Sequence, residues 1–113
     1  GIEVIEIAER ERTHYDHKTV EIDIVARNGK DIVAVEVKTT LHPLDVEDFI
    51  ETLNLFKKAF PRYKNNSVYG AVAYLKAESK ADVRAERLGL FVIKATGNSA
   101  TITNDEKFKP KEF

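Results

Sequence analysis

Four side chains carry most of the chemistry this sequence can offer. Glu21 and Asp23 stand two apart, and so do Glu36 and Lys38. In extended chain a spacing of two puts both members of a pair on one side. If the two stretches pair as an antiparallel hairpin, the turn decides their register. A two-residue turn at Asn28-Gly29 sets Glu21 opposite Glu36, whereas one at Gly29-Lys30 sets Asp23 opposite Glu36 and Glu21 opposite Lys38. In either register all four side chains share a face, with opposed Cβ atoms about 5 Å apart. Three carboxylates that close repel one another, and a divalent cation turns the repulsion into coordination. Mg²⁺ takes carboxylate oxygens at about 2.0–2.1 Å and keeps several waters. Asp23 and Glu36 are therefore the first candidate ligands. Lys38 lies about 7 Å along the strand from Glu36. An ammonium there could orient an attacking water or stabilise charge developing on a phosphate. A plain amphipathic hairpin with a Glu–Lys pair on its wet face has the same spacing. Glu36 emerges from five apolar neighbours, however, and a buried acid needs a partner.

These residues need a sheet to hold them. Residues 2–12 and 19–27 read as strands around a turn at Tyr15–Lys18. Val20, Ile22 and Ile24 take one face of the second strand, Glu21 and Asp23 the other. Residues 32–38, IVAVEVK, are apolar enough for a central strand covered on both faces. The period then changes. Pro43 suits a first helical turn, Val46, Phe49, Ile50, Leu53, Phe56 and Phe60 form a helical stripe, and Pro61 closes it. Residues 68–75 read as a buried strand, 80–88 as a short helix stopped by Gly89, and 90–95 and 100–103 as strands around Gly97-Asn98. The charged tail KFKPKEF reads as loose. The order β-β-β-α-β-α-β-β predicts a central mixed sheet flanked by helices, of α/β (α+β) class, with the helical crossover setting strand four parallel to its neighbour. Phe49, Phe56, Phe60, Tyr69 and Phe91 are assigned to packing.

Composition narrows the field. At 113 residues the chain is one domain able to bury a core. It has no cysteine, which excludes disulfides, thiolate metal sites and cysteine nucleophiles and suits a cytoplasmic setting. No apolar run reaches the roughly 18 residues a membrane span needs, so no membrane partner is expected. The net charge is −1 but divided: residues 1–56 hold 6 Lys/Arg and 13 Asp/Glu, residues 57–113 hold 12 and 6. An acidic half can hold a cation while a basic half faces phosphates. There is no Met, and the strand pattern starts almost at Gly1. Residues 1–113 are accordingly expected to be one domain, the C-terminal fragment of a longer chain.

The stretch EIDIVARNGKDIVAVEVKT, with E-I-D at 21–23 and V-E-V-K at 35–38, resembles the PD-(D/E)XK, or restriction-endonuclease-like, nuclease superfamily. Its likeness to archaeal Holliday-junction resolvases and their uncharacterised relatives covers roughly residues 9–95. Ile22 stands where the motif's proline would be. The resemblance implies a restriction-endonuclease-like core in which Asp23, Glu36 and the Val37 backbone carbonyl bind Mg²⁺ or Mn²⁺. Lys38 would be the catalytic lysine. It further implies hydrolysis of DNA, and less often RNA, by metal-activated water. DNA, with structured or branched forms included, would be the partner, and a homodimer is expected because cutting both strands commonly uses two related sites. Many members carry a further metal-binding Glu on a helix before the first strand. Residues 1–113 show no such helix: the expectation is that it belongs to a missing N-terminal part, the alternative that the site is incomplete, with Glu21 the substitute on offer. The alternative is a catalytically inactive module on the same fold, for nucleic-acid binding or protein assembly.

Other candidates are weaker. His14 and His17 flank a turn with Asp16 and read as solvent-facing. His42 follows the third strand and could touch a metal-bound water or a phosphate. Lys57, Lys58, Arg62 and Lys64 could contact a nucleic-acid backbone, although cations at a helix end are also favoured by its dipole. No glycine-rich phosphate loop occurs, and Ser67, Ser79 and Ser99 have no nucleophile setting.

Overall fold

The computed structural model describes residues 6–113, with side chains from Arg10 onward. Strands β1 (Glu6–Tyr15), β2 (Lys18–Asn28) and β3 (Asp31–Leu41) are followed by helix α1 (Pro43–Ala59) and a single 3-10 turn at Pro61–Tyr63. Then come β4 (Ser67–Ala77), α2 (Ala81–Arg87), β5 (Phe91–Ala95) and β6 (Ala100–Ile102). All six strands form one sheet in sequential order. β3–β4 and β4–β5 are parallel, and the remaining pairs are antiparallel. This is the mixed sheet expected, with each parallel step made by a helical crossover. The expected first strand at 2–12 is only partly covered: residues 2–5 lie outside the described residues, and β1 continues to Tyr15.

Each element follows from its sequence. β3 is rich in Val and Ile, which suit a pleated, buried surface. Its neighbours are β2 and β4, so it is central, but the expected cover on both faces is incomplete: Val33 is half-buried and Val37 47% exposed on the face away from the core. α1 starts with Pro43 in its first turn, and the Asp45 carboxylate accepts the His42 N–H at 2.8 Å. Lys57 and Lys58 occupy its last turn, and Pro61 follows. Val46, Phe49, Leu53 and Phe56 from α1 pack on Val25, Ile32, Ala34, Val68 and Val72 of the sheet to make the core. The Leu53 side chain of α1 can rest on β4 because position 70 is glycine. A Cβ there would stand 2.5 Å from Leu53 Cδ1 and 2.7 Å from Leu90 Cδ2.

The charged tail is not loose. Lys111 N–H donates to the Gly89 carbonyl at 3.0 Å and Phe113 N–H to the Val68 carbonyl at 2.7 Å. Phe113 packs against the core, and Phe108 meets Phe91 edge-on at 5.4 Å. β5 pairs with β4 only from Ala71 onward, so the tail bonds a β4 carbonyl that lies beyond the reach of β5. Two aromatic residues and two backbone bonds outweigh four charges that remain in water.

Candidate active site

The β2–β3 turn settles the register. Asn28 pairs with Asp31, so Gly29 and Lys30 are the turn residues, with Gly29 at φ +58°. The paired positions run from there to Ile24–Val35 and stop. The next position in the same register sets Asp23 opposite Glu36. Beyond the last pair the Val37 N–H donates to Asp23 Oδ2 at 2.9 Å, so a carboxylate takes over where the ladder ends.

That break also explains a correction. Along β2 the burial alternates through Val20 and Ile22, then skips: Asp23 and Ile24 are both half-buried, and Val25 returns to the core. The β1–β2 ladder likewise omits the position of Arg10 and Asp23. The change of phase lets Asp23 meet Glu36 while Glu21 is left on the exposed side. Glu21 was expected on the shared face as a further ligand. Its carboxylate instead pairs with Arg10 at 3.1 Å.

The remaining three residues come together. Glu36, Lys38, Asp45, Asp48, Phe49 and Thr52 line a shallow cleft of about 80 Å³ between β3 and the first turns of α1. Glu36 is half-buried, and its carboxyl is pushed up to about 7, first by loss of water, then by the charge of Asp23 and a side-chain hydrogen bond with it. Lys38 opposes the rise and Asp45 adds to it. Lys38 Nζ lies 3.9 Å from Asp45 Oδ1. Asp45 is the residue that sequence reasoning missed. It sits three residues after His42 and just inside Pro43, a position where an acid reads as a helix cap, and it is one. The fold turns the same cap toward Lys38.

Two hard carboxylate oxygens held side by side at the end of a broken ladder fit a small divalent cation. Asp23 is oriented by the Val37 N–H, and Glu36 by its burial. Among the described residues no group of three His, Cys, Asp or Glu side chains converges on one ion position. A cation there would therefore rest on Asp23, Glu36, backbone oxygen and water. At this point it is the Val37 N–H that faces the Asp23 carboxylate.

The other candidates disperse. His42 has Nδ1 3.3 Å from Asp45 and Nε2 3.3 Å from Glu78, so both ring nitrogens face carboxylates. It ties α1 to the end of β4 instead of standing free for a phosphate. His14 Nδ1 is 3.2 Å from Thr19 Oγ1, and His17 is in the turn at φ +65° with Asp16. Lys57 and Lys58 lie at the far end of α1 from Asp45, about 20 Å away at 1.5 Å per residue. Arg62 is ion-paired with Glu11 and lies 4.9 Å over the Tyr63 ring, so it is part of the packing there.

Residues 18–91 match a family model described as the PD-(D/E)XK nuclease superfamily, and they span every residue just placed in the site. The chain belongs to that superfamily. A search of curated proteins gave no match. Among solved structures, the PD-(D/E)XK chain is similar to the crystal structure of a repair endonuclease from Pyrococcus abyssi, with a TM-score of 0.53 at 18% identity. The likeness covers 78% of this chain and 39% of that one. At that identity it supports the fold, a restriction-endonuclease-like sheet. Family membership supports a nuclease-type function. Among the described residues no helix is long and apolar enough to cross a membrane.

Proposed function

We infer that this domain is a divalent-metal-dependent nuclease that hydrolyses phosphodiester bonds of DNA. The observation that carries the reading is the convergence of Asp23 and Glu36, with Lys38 beside them, where burial and mutual charge hold the Glu36 carboxyl near 7. Such a pair is uncomfortable without a cation. Asp23, Glu36 and the Val37 carbonyl would hold Mg²⁺ or Mn²⁺. When bound, the ion would supply Lewis acidity toward a phosphoryl oxygen and a more acidic water.

The chain's own residues do the rest. The Val37 N–H fixes the Asp23 carboxylate. Lys38 is held between Glu36 and Asp45 and presents an ammonium to charge developing on the phosphate. Phe49 and Thr52 close one side of the cleft. A second reading, a nuclease-fold module that binds nucleic acid or mediates assembly without turnover, is favoured by one observation: among the described residues no third His, Cys, Asp or Glu joins the two carboxylates at the ion position.

The test is incubation with linear and branched DNA, and with RNA, in Mg²⁺ and in Mn²⁺, beside Asp23→Ala and Lys38→Ala. Cleavage lost in both variants supports the nuclease. Cleavage that survives both removes these residues from the chemistry. Calorimetric titration with Mn²⁺ separates the two readings further, since the nuclease requires an ion site that Asp23→Ala abolishes.

A further inference from the structure

The C-terminal end of α1 carries a charge pattern that the cleft does not use. Residues 52–77 contain no Asp or Glu, yet include Lys57, Lys58, Arg62 and Lys64. Arg62 is committed to Glu11, which also accepts the Tyr63 hydroxyl at 3.0 Å. Among the described residues the three lysines have no ion-pair partner. A fourth cation joins them from another element. The Lys30 carbonyl accepts the Ser67 N–H at 2.9 Å and the Asn66 amide at 3.1 Å, which brings the β2–β3 turn beside Lys64. Lys30, Lys58 and Lys64 are exposed. The helix dipole explains a preference for cations in the last turn of α1. It explains neither Lys30, on a hairpin turn, nor Lys64, after the 3-10 turn.

The opposite end of the helix is acidic. Asp23, Glu36, Asp45 and Asp48 gather at the cleft. A polyanion is repelled there until a cation is bound, so its attraction to the protein has to come from elsewhere. The two ends are about 20 Å apart, or roughly six base pairs of duplex at 3.4 Å each.

We propose that Lys30, Lys58 and Lys64, with Lys57, form a phosphate-backbone contact remote from the cleft, so that the substrate is a polynucleotide long enough to reach both ends of α1. The proposal rests on the nuclease reading for its partner, but concerns binding rather than cleavage. Backbone phosphates supply sequence-independent, salt-sensitive affinity. The four lysines supply separated, mobile ammonium groups suited to that contact and carry no geometry for reading bases.

The experiment is fluorescence anisotropy of labelled duplexes of about 4 and about 16 base pairs, lengths chosen either side of that reach. It is run with Ca²⁺ in place of Mg²⁺ over a salt series. The proteins are wild type, a triple variant Lys30→Gln, Lys58→Gln, Lys64→Gln, and a control of equal charge, Lys94→Gln, Lys107→Gln, Lys109→Gln, on exposed positions of other elements. Wild type should bind the longer duplex more tightly. The triple variant should lose that advantage by about tenfold or more, and its log–log salt slope should be shallower by about 2–3, near 0.9 per lost contact. The control should follow wild type. An unchanged slope in the triple variant, an equal loss in the control, or no wild-type binding to the longer duplex overturns the proposal. Hydrolysis of bis(p-nitrophenyl) phosphate reports the cleft alone. Lysine-dependent binding without hydrolysis of that ester or of DNA would sink the nuclease reading and leave this one standing.

Discussion

The two ends of α1 carry opposite charge by different physical means. At the N-terminal end, Glu36 and Asp23 are partly withdrawn from water and forced together by a broken ladder. At the C-terminal end, Lys30, Lys58 and Lys64 stand in water on the rim of an aromatic cluster. There Phe56 lies 5.2 Å from Phe60 and 5.3 Å from Tyr63. The first arrangement costs stability and needs a counter-charge. The second costs almost nothing, because exposed cations are screened and mobile. A strained acidic pair is what a chemical site requires, and relaxed cations are what a backbone contact requires.

The largest expected effect separates the support of the basic end from its charges. Phe56 is fully buried. Phe56→Ala should lower unfolding free energy by about 3–5 kcal/mol in urea denaturation, as for other buried aromatics. A loss below about 1 kcal/mol would mean that the aromatic cluster is not the foundation of that end.

Next is the acidic end's chemistry. Lys38→Ala should lower DNA cleavage at least about 100-fold, the usual scale for losing one preorganised electrostatic group, with little change in melting temperature. Its ion pair with Asp45 is 3.9 Å long and half-exposed, so it holds little stability. A large drop in melting temperature with unimpaired cleavage would reverse the roles of the two ends.

The third effect tests the strain itself. The Glu36 carboxyl is displaced from an ordinary 4.5 to about 7. The folded protein therefore holds that proton more tightly than the unfolded chain. Its contribution to stability is fully present below pH 4.5, falls as pH rises toward 7, and stays lost above. The full displacement would be worth about 3 kcal/mol, but the group is only half-buried, so about 1–2 kcal/mol is expected. Glu36→Gln should accordingly be more stable than wild type at pH 8 without metal, and the gain should vanish near pH 4. Millimolar Mn²⁺ should raise the wild-type melting temperature and leave Glu36→Gln unmoved. Thermal denaturation at the two pH values, with and without Mn²⁺, measures both.

The two ends were not equally legible in the sequence. β3, α1 and the crossover follow from β-branched runs, the stripe from Val46 to Phe56 and flanking prolines, because burial dictates residue type there. Asp23, Glu36 and Lys38 were readable as a set for the same reason: acids amid apolar neighbours demand an explanation. Glu21 was misplaced because a phase change at Asp23 depends on backbone hydrogen bonding in β1 and β2, which side-chain alternation does not encode. The two turn registers differed by one residue, and only the closed hairpin distinguishes them. Asp45 was missed because a capping acid and a cleft acid look alike until the helix is docked. The tail was misread because its lysines dominate the composition, while the bonds to Gly89 and Val68 belong to the backbone of residues 111 and 113.

The smallest expected effect is the sharpest test of the contrast. If the lysines of the basic end are held by nothing, then Lys30→Gln, Lys58→Gln and Lys64→Gln together should change unfolding free energy by no more than about 0.5 kcal/mol, as surface substitutions away from special features do. The only counter-term is the dipole at the end of α1, which for an exposed cation such as Lys58 is worth about 0.3–1 kcal/mol at low salt. That contribution should fade as salt is raised toward 1 M, where the screening length falls to about 3 Å. A loss above about 1 kcal/mol that persists at 1 M salt would mean that these side chains hold the fold together. The basic end would then have the same energetic character as the acidic one, and the division of labour along α1 would fail.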